Sequence, residues 1–198
     1  MTTTTDLPNG YYMVPVGKLV SAVTWLEMVT RPATGLPAPI RLVPVTQADQ
    51  EACVRLFSTI GKSWLWSRAF NLSPQELSEL DIHFALDDAG HRLGVVEFSG
   101  RGGPDVEIAF FGLHPGAIGG GLGRRMMAAA LDLAWRTADR VWLHTCSFDH
   151  PSSLRFYLSC GFTPYATGFE ILDDPRLHGS LSAATAPHVP LIALKEST

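Results

Sequence analysis

The feature that most constrains the fold is a glycine-rich stretch, GLHPGAIGGGLGRRMM, which joins a β-like segment to a helical one. Five of the eight residues at positions 116–123 are glycine. The run before it, DVEIAFF, has the composition of a strand, and the residues after it carry apolar side chains at helical spacing. The sequence therefore predicts a strand, a turn of nearly bare backbone and a helix in direct succession.

A turn of this kind at the start of a helix predicts an anion-binding site. The first N–H groups of a helix have no partner within it and lie at the positive end of its dipole. Glycine permits positive φ and carries no Cβ that would keep a phosphate away from the backbone. Arg124 and Arg125 stand in the first turn, where each cation opposes the dipole by about 0.3–1 kcal/mol unless an anion is bound. A merely flexible loop is the alternative.

Two common phosphate-binding loops do not match the stretch. A P-loop requires Gly-x-x-x-x-Gly-Lys-Ser/Thr; Gly116 and Gly121 have this spacing, but Leu122 and Gly123 replace the lysine and the hydroxyl. The dinucleotide fingerprint Gly-x-Gly-x-x-Gly is broken at Arg124. What remains is a pyrophosphate that this loop holds without magnesium and without recognition of a ribose.

Composition limits the class of protein. Of the 198 residues, 46% are apolar and 17% are charged, as in a folded globular protein. The net charge of −4 gives no reason to expect a nucleic-acid partner, and no segment approaches the roughly 18 apolar residues of a membrane span. The three cysteines have neither disulfide-framework nor zinc-site spacing. We therefore expect a cytoplasmic protein with no metal site.

Periodicity and turn residues predict an α/β chain with a sheet between helices. The predicted helices span residues 48–60, 74–80, 124–138 and 151–160. The predicted strands span residues 40–45, two halves of a hairpin within 82–100, and then 105–113, 140–146 and 188–194. A proline-rich run, RPATGLPAP, separates an N-terminal arm over residues 1–38 from a main domain over residues 39–198. Within the arm, residues 20–29 fit a strand or a short helix.

The glycine-rich stretch resembles the acyl-CoA-binding segment of the GNAT superfamily of N-acetyltransferases, Gln/Arg-x-x-Gly-x-Gly/Ala. Gly121 and Gly123 fill the two small positions. Ile118 stands where Gln or Arg is usual, and Gly120 where many members carry a second basic residue. These departures remove side-chain contacts to the pyrophosphate and leave the backbone cradle intact.

A second block, DHPSSLRFYLSCGF, resembles the ending Asn-x-x-Ala-x-x-x-Tyr-x-x-x-Gly-Phe of the same family. Tyr157, Gly161 and Phe162 are in register, and Asp149 is close to the usual Asn. The two blocks follow one another in the order that the family requires. The resemblance implies an α/β (α+β) fold with a mixed, mostly antiparallel central sheet flanked by helices on both faces.

The resemblance also implies acetyl-CoA as cofactor. In the family, the strand before the loop splays from its neighbour and its backbone pairs with the pantetheine arm. This assigns Phe111, Gly112 and Leu113 to the pantetheine, with Gly112 as the expected bulge point. The residues assigned to the pyrophosphate are Gly119, Gly120, Gly121, Leu122, Gly123 and Arg124.

Transfer to an amine needs a base, because an amine with a pKa of about 10.4 is protonated at pH 7. Strand alternation places Glu107 and Phe111 on one face, and Glu107 lies on the strand where related enzymes often carry their base. We expect Glu107 to be the base, directly or through water. A solvent-facing or ion-paired role is the bland alternative, and Glu97 and His144 are the competing bases.

Tyr157 matches the family's tyrosine that protonates the departing thiolate, which a phenol with a pKa near 10 can do at neutral pH. Trp64 and Trp66 lie where family members line the acceptor pocket, although both could be core residues. The predicted function is transfer of an acetyl group from acetyl-CoA to a primary amine of a small molecule or peptide by direct attack in a ternary complex. The alternatives are a non-catalytic acyl-CoA-binding sensor or scaffold, and an interaction domain whose N-terminal arm pairs with a second subunit as a homodimer.

Overall fold

A computed structural model describes residues 7–32, 35–66 and 72–193 of the chain. The strands are β1 (Lys18–Met28), β2 (Arg41–Pro44), β3 (Asp81–Leu86), β4 (Arg92–Ser99), β5 (Asp105–Leu113), β6 (Arg140–Cys146) and β7 (Thr163–Asp173). The α-helices are α1 (Gln50–Gly61), α2 (Pro74–Glu79), α3 (Leu122–Ala134) and α4 (Ser153–Ser159). The strands form one sheet in the order β2-β3-β4-β5-β6-β1-β7.

The sheet is mostly antiparallel, and helices cover both of its faces, which confirms the predicted fold class. Among its strand pairs, β5 and β6 are parallel and the others are antiparallel. On one face, Met127 of α3 and Tyr157 of α4 belong to one buried cluster. On the other face, Phe57 of α1 and Leu77 of α2 belong to a second cluster. Two apolar layers therefore hold the sheet between the helix pairs.

The short helix α2 begins as the sequence predicts. The Ser73 side chain accepts a hydrogen bond from the Glu76 amide, and the Glu76 carboxylate accepts one from the Ser73 amide. Pro74 occupies the first turn, where its missing N–H costs nothing. This capping box fixes the position of α2 beside β3.

The N-terminal segment contributes a central strand rather than a separate arm. Strand β1 lies between β6 and β7 and pairs antiparallel with both. Leu19, Ser21 and Val23 are buried on one face, while Val20 and Ala22 are exposed on the other. The predicted boundary at residues 38/39 therefore does not separate this strand from the sheet. From Val23 to Glu27 both edges of β1 are already paired, so this part of the strand has no free edge for a second subunit.

The C-terminal part departs from the predicted last strand at 188–194. Described residues 188–193 form no strand, and Leu194 lies outside the described residues. The carbonyl groups of Val189 and Pro190 instead accept hydrogen bonds from Arg176, which forms a buried 2.7 Å ion pair with Asp174. The strand that closes the sheet is β7, which the sequence did not reveal because its residues are exposed along most of its length.

Candidate active site

The glycine loop, residues 118–123, has the backbone conformation that its sequence requires. Gly119, Gly120 and Gly121 have φ values of +100°, +56° and +76°, a region that L side chains rarely adopt. A Cβ added at any of the three would meet nothing within 4 Å. The three glycines therefore border open space at the start of α3.

Several amide groups of this loop remain available to a ligand. Among the described residues, the N–H groups of Gly119, Gly120, Gly121 and Gly123 donate to no protein acceptor. The Leu122 amide donates to the Gly119 carbonyl at 3.4 Å, and the Arg124 amide to the Gly121 carbonyl at 3.1 Å. The loop thus combines unpaired donors with the positive end of the α3 dipole, as an anion site requires.

The two arginines that follow the loop are held by backbone carbonyl groups. Arg124 donates to the Ser159 carbonyl at 2.9 Å and to the Gly35 carbonyl at 2.8 Å. Arg125 donates to the Ala38 carbonyl at 3.2 Å. Both guanidinium groups thus tie the segment before β2 to α3, and Arg124 also reaches the end of α4. These bonds give the two arginines a structural role at the start of the helix.

Strands β5 and β6 separate part-way along their length. Their parallel pairing runs from Asp105 opposite Arg140 to Glu107 opposite Trp142 and goes no further. Past Glu107, this edge of β5 has no strand partner among the described residues, and the two strands enclose an opening that we call the cleft. Unpaired strand edges can accept an extended ligand as an added strand.

A β-bulge on β5 lies at the mouth of the cleft, at Ala109 and not at Gly112 as predicted. Glu97 of β4 pairs with Phe110, and its neighbour Phe98 pairs with Ile108, so Ala109 is the extra residue. Gly112 is glycine for another reason: a Cβ there would lie 2.6 Å from Cγ2 of Ile60 in α1.

The bulge reverses the alternation of side chains on β5. Before it, Val106 and Ile108 belong to the cluster on the α3 face; after it, Phe111 packs against the same cluster. Phe110 instead turns to α1, where its ring centroid lies 4.3 Å from that of Phe57. The prediction that Glu107 and Phe111 share a face is therefore wrong, because it assumed an uninterrupted strand.

A cavity of about 350 Å³ lies at the cleft, and we call it the apolar chamber. Phe111 and Tyr157 line the chamber, and the Phe156 ring contacts both of their rings. Phe156 also reaches the glycine loop, because a Cβ added at Gly123 would lie 3.2 Å from its ring. Phe111 and Tyr157 therefore mark the end of the chamber nearest the loop. Tyr157 is 9% exposed. Burial raises the pKa of its phenol, and the nearby Asp149 carboxylate raises it further. Tyr157 is therefore a neutral hydroxyl at physiological pH.

The structure separates the two tryptophans that the sequence grouped together. Trp66 lines the apolar chamber, and its ring lies 5.2 Å from that of Phe110. Trp64 is not among the described lining residues of the chamber and packs against His150, with ring centroids 5.4 Å apart.

Asp149 is a chamber residue whose role the sequence did not reveal. Its Oδ1 accepts a hydrogen bond from Nε1 of Trp66 at 2.8 Å. Its Oδ2 accepts from the Thr145 hydroxyl at 2.7 Å and from the Cys146 amide at 2.8 Å. The available signal was its position close to the usual Asn of the second motif. Asp149 therefore joins the segment after α1 to the end of β6.

A second cavity, of about 390 Å³, adjoins the chamber, and we call it the acidic pocket. Glu97, Ala109 and His144 line both cavities, whereas Glu107 lines only the acidic pocket. Glu97 is 3% exposed. The three candidate bases named from the sequence are thus brought together where the two cavities meet.

Glu107 and His144 form an ion pair across the two strands. Oε1 of Glu107 lies 3.6 Å from Nδ1 of His144. The Glu107 carboxylate raises the pKa of His144, against the opposing effect of burial. The pair favours the protonated imidazole over a wider pH range than that of a free histidine.

Comparison with known families decides where this arrangement belongs. The acetyltransferase (GNAT) family matches residues 48–162, which is more than half of the chain. The protein belongs to the GNAT family. The matched region includes the glycine loop, both strands of the cleft and Tyr157, whereas β1 and β7 lie outside it.

Several solved structures share the fold of this chain. A conserved protein of unknown function from Staphylococcus epidermidis has a TM-score of 0.60 at 15% identity, and the match covers 80% of this chain and 63% of the other. A GNAT-family protein from Novosphingobium aromaticivorans has a TM-score of 0.57 at 18% identity, and the match covers 82% of this chain and 70% of the other. A GCN5-related N-acetyltransferase from Sphaerobacter thermophilus has a TM-score of 0.58 at 14% identity, and the match covers 88% of this chain and 54% of the other. The chain thus spans roughly half to two thirds of these proteins, and the likeness is one of fold. A search of curated proteins gives no significant match.

Two kinds of feature are absent from the described part of the GNAT chain. Among the described residues, no group of three or more His, Cys, Asp or Glu side chains has an arrangement that could hold a metal ion. No helix in that part of the chain has the length and hydropathy needed to cross a membrane.

Proposed function

We propose that this GNAT protein is an N-acetyltransferase that transfers an acetyl group from acetyl-CoA to a primary amine of a small molecule or peptide in a ternary complex. The observation that carries the proposal is the alignment of three features along one path. Unpaired amides of the glycine loop stand at one end, the open edge of β5 follows, and Tyr157 and the carboxylates lie at the other end. Three free cysteines suit the cytoplasm as its location.

The residues present fit acetyl-CoA. Gly119, Gly120, Gly121 and Gly123 would direct amides at the pyrophosphate, while Leu122 and Arg124 would contribute through the helix dipole and charge. Phe111, Gly112 and Leu113 would offer backbone groups to the pantetheine along the open edge of β5. When bound, the thioester supplies the activated acetyl group.

The proton balance of the transfer assigns roles to this chain's side chains. The acceptor ammonium must lose one proton to attack and a second as the C–N bond replaces the C–S bond, and the thiolate gains one. Glu107 is the proposed acceptor of the amine proton, directly or through water, and Glu97 and His144 are the alternatives at the same junction. Tyr157, neutral and buried, is the proposed donor to the thiolate.

Binding of acetyl-CoA is tested at Gly120, whose φ of +56° is one that Asn and Asp tolerate and whose Cβ direction is open. Isothermal titration should show micromolar affinity for the wild type. Gly120→Asp brings a negative charge to the amides and should weaken binding at least ~10-fold, which corresponds to about 1.4 kcal/mol. Gly120→Asn is the matched control with the same shape and no charge: it carries the steric cost of the added side chain, so Gly120→Asp should bind at least ~10-fold more weakly than Gly120→Asn. Equal affinity of both variants would contradict pyrophosphate binding by this loop.

Turnover is tested by thiol release with a panel of amines. Loss of a general base or acid lowers the rate by roughly 10²–10⁴-fold. Glu107→Gln and Tyr157→Phe should each show a loss of this order, and Glu97→Gln shows which carboxylate accepts the proton. Wild-type rates in both Glu107→Gln and Tyr157→Phe would refute the proposed roles. Tight binding of acetyl-CoA without turnover on any amine would favour the sensor or scaffold alternative.

A further inference from the structure

The apolar chamber has a wall of aromatic and aliphatic side chains. Helix α1 and the segment after it, strand β5, the segment after β6 and strand β7 each contribute to this wall. Its members are Phe57, Leu65, Trp66, Phe110, Phe148 and Leu172. Such a wall stabilises an apolar group that leaves water, by about 25 cal/mol per Å² of buried area.

The wall is held in place by contacts of its own. The Trp66 ring is fixed by the hydrogen bond from Nε1 to Asp149 and by its edge-on contact with Phe110. Leu65 and Phe148 pack in a third buried cluster with Leu181, which belongs to the segment after β7. The chamber is therefore formed before a ligand arrives, and binding does not have to order its side chains.

The charges around the two cavities exclude one class of acceptor. Six carboxylates line one cavity or the other, and Glu97 lines both. Asp149 and Glu170 line the apolar chamber, and Glu79, Asp81 and Glu107 line the acidic pocket. Among the described lining residues, these six carboxylates outnumber the two basic side chains, Arg101 and His144. An acceptor with its own carboxylate or phosphate would be repelled, whereas a single ammonium at the junction of the cavities would be attracted.

We propose that the acceptor is a primary amine whose remaining part is compact and apolar, an aralkyl or branched alkyl amine without a carboxylate. The apolar part lies in the apolar chamber against Trp66 and Phe110, and the amine lies at the junction of the two cavities. This inference rests on the proposed function and adds the chemical class of its substrate. A second ammonium against Trp66 and Phe110 would lose its hydration beside apolar side chains. The carboxylates of this chamber compensate little, because Asp149 already accepts hydrogen bonds from Trp66, Thr145 and Cys146, and Glu170 is exposed to water.

Three amines that differ by one group test the inference: phenethylamine, phenylalanine, which adds a carboxylate, and putrescine, which replaces the ring with a second ammonium. With saturating acetyl-CoA, kcat/KM for phenethylamine should exceed both others by at least ~10-fold, the scale set by one apolar pocket. Isothermal titration into protein saturated with CoA should show the same order of affinity. Equal or better use of phenylalanine or putrescine would overturn the inference and leave the acetyltransferase proposal standing. Binding of acetyl-CoA with neither binding nor turnover of any amine would overturn both.

The two tryptophans supply a matched pair of variants. Trp66→Ala should lower the ratio of kcat/KM for phenethylamine to that for putrescine by on the order of 10-fold. Trp64→Ala, which removes an equal side chain outside the chamber, should leave this ratio unchanged. Trp66→Phe keeps an apolar ring in the wall and should retain most of the preference for phenethylamine over putrescine. This variant replaces Trp66→Ala in the test if Trp66→Ala does not fold. An unchanged ratio in Trp66→Ala, with thermal unfolding showing a folded protein, would refute the placement of the apolar group.

Discussion

The hydrogen bond between Trp66 and Asp149 can be tested by changing one atom of the carboxylate. In Asp149→Asn, the amide oxygen is expected to stay where Oδ2 accepts two hydrogen bonds, from Thr145 and from the Cys146 amide. The amide NH₂ then takes the place of Oδ1 and faces the N–H of Trp66. Two donors then oppose each other, so the substitution breaks the contact with Trp66 and also replaces Oδ1, which lies 3.7 Å from Sγ of Cys146.

The magnitude follows from the kind of bond. A hydrogen bond to a charged group contributes about 1.5–3 kcal/mol, and the partial exposure of this pair favours the lower value, about 1.5 kcal/mol. Asp149→Asn should therefore lower the free energy of unfolding by about 1.5 kcal/mol in the wild type but by less than about 0.5 kcal/mol in a Trp66→Phe background. The coupling energy should be about 1 kcal/mol or more.

Urea unfolding of the four proteins of this cycle measures the coupling, provided that the dependence of the free energy on urea stays constant. A Trp64→Phe background is the matched control, and there Asp149→Asn should cost as much as it does in the wild type. The reasoning fails if Asp149→Asn costs the same in the Trp66→Phe background as in the wild type, because Asp149 would then act through Thr145 and Cys146 alone.

Four other outcomes follow from contacts described above. Gly112→Ala should destabilise the fold by about 1–3 kcal/mol, because its Cβ would lie 2.6 Å from Cγ2 of Ile60; Gly10→Ala, with open space around it, is the control in the same urea titration. Asp174→Ala leaves the Arg176 cation buried and should cost about 3–5 kcal/mol, whereas Asp174→Leu combined with Arg176→Met should cost clearly less. Arg176 lowers the pKa of Asp174, so this pair should stabilise the fold above about pH 4 and lose its effect as the pH falls through the lowered value, which acid unfolding monitors. Glu107 raises the pKa of His144, so the pair stabilises the fold fully below about pH 6.5 and less as the pH rises through the raised value. NMR titration should show a lower His144 pKa in Glu107→Gln than in the wild type. An unchanged His144 pKa would contradict the pairing.

Much of the fold could be predicted because its signals are local. The capping box at Ser73, the hairpin of β3 and β4, and the glycine loop before α3 depend on residues close together in the sequence. Two motifs in the right order then predicted the family. The sheet and its helices on both faces followed from the alternation of elements.

The predictions that failed concern contacts between distant residues. The bulge at Ala109 depends on how β4 and β5 align, which the alternation within DVEIAFF cannot show. Strand β7 is exposed along most of its length and lacks a buried face, so no period of two marks it. The prediction of a strand at 188–194 read apolar residues without the carbonyl contacts that Arg176 makes there.

At the candidate site, the sequence identified side chains but not their neighbours. Trp64 and Trp66 are two residues apart, yet one reaches His150 and the other Asp149. Glu97, Glu107 and His144 lie on three different strands and converge because the parallel pairing of β5 and β6 ends at Glu107. Such convergence follows from the register of the sheet, which a single sequence does not contain.

The place of β1 in the sheet has a consequence for synthesis on the ribosome. Its two partners, β6 and β7, begin at Arg140 and Thr163, more than a hundred residues later in the chain. The nascent chain therefore displays Leu19, Val23 and Leu26, which are buried in the finished protein, until the residues of β7 have also emerged. Among the described strands, β1 is made before its two partners, and a growing chain that stalls before residue 163 leaves it with an unpaired edge.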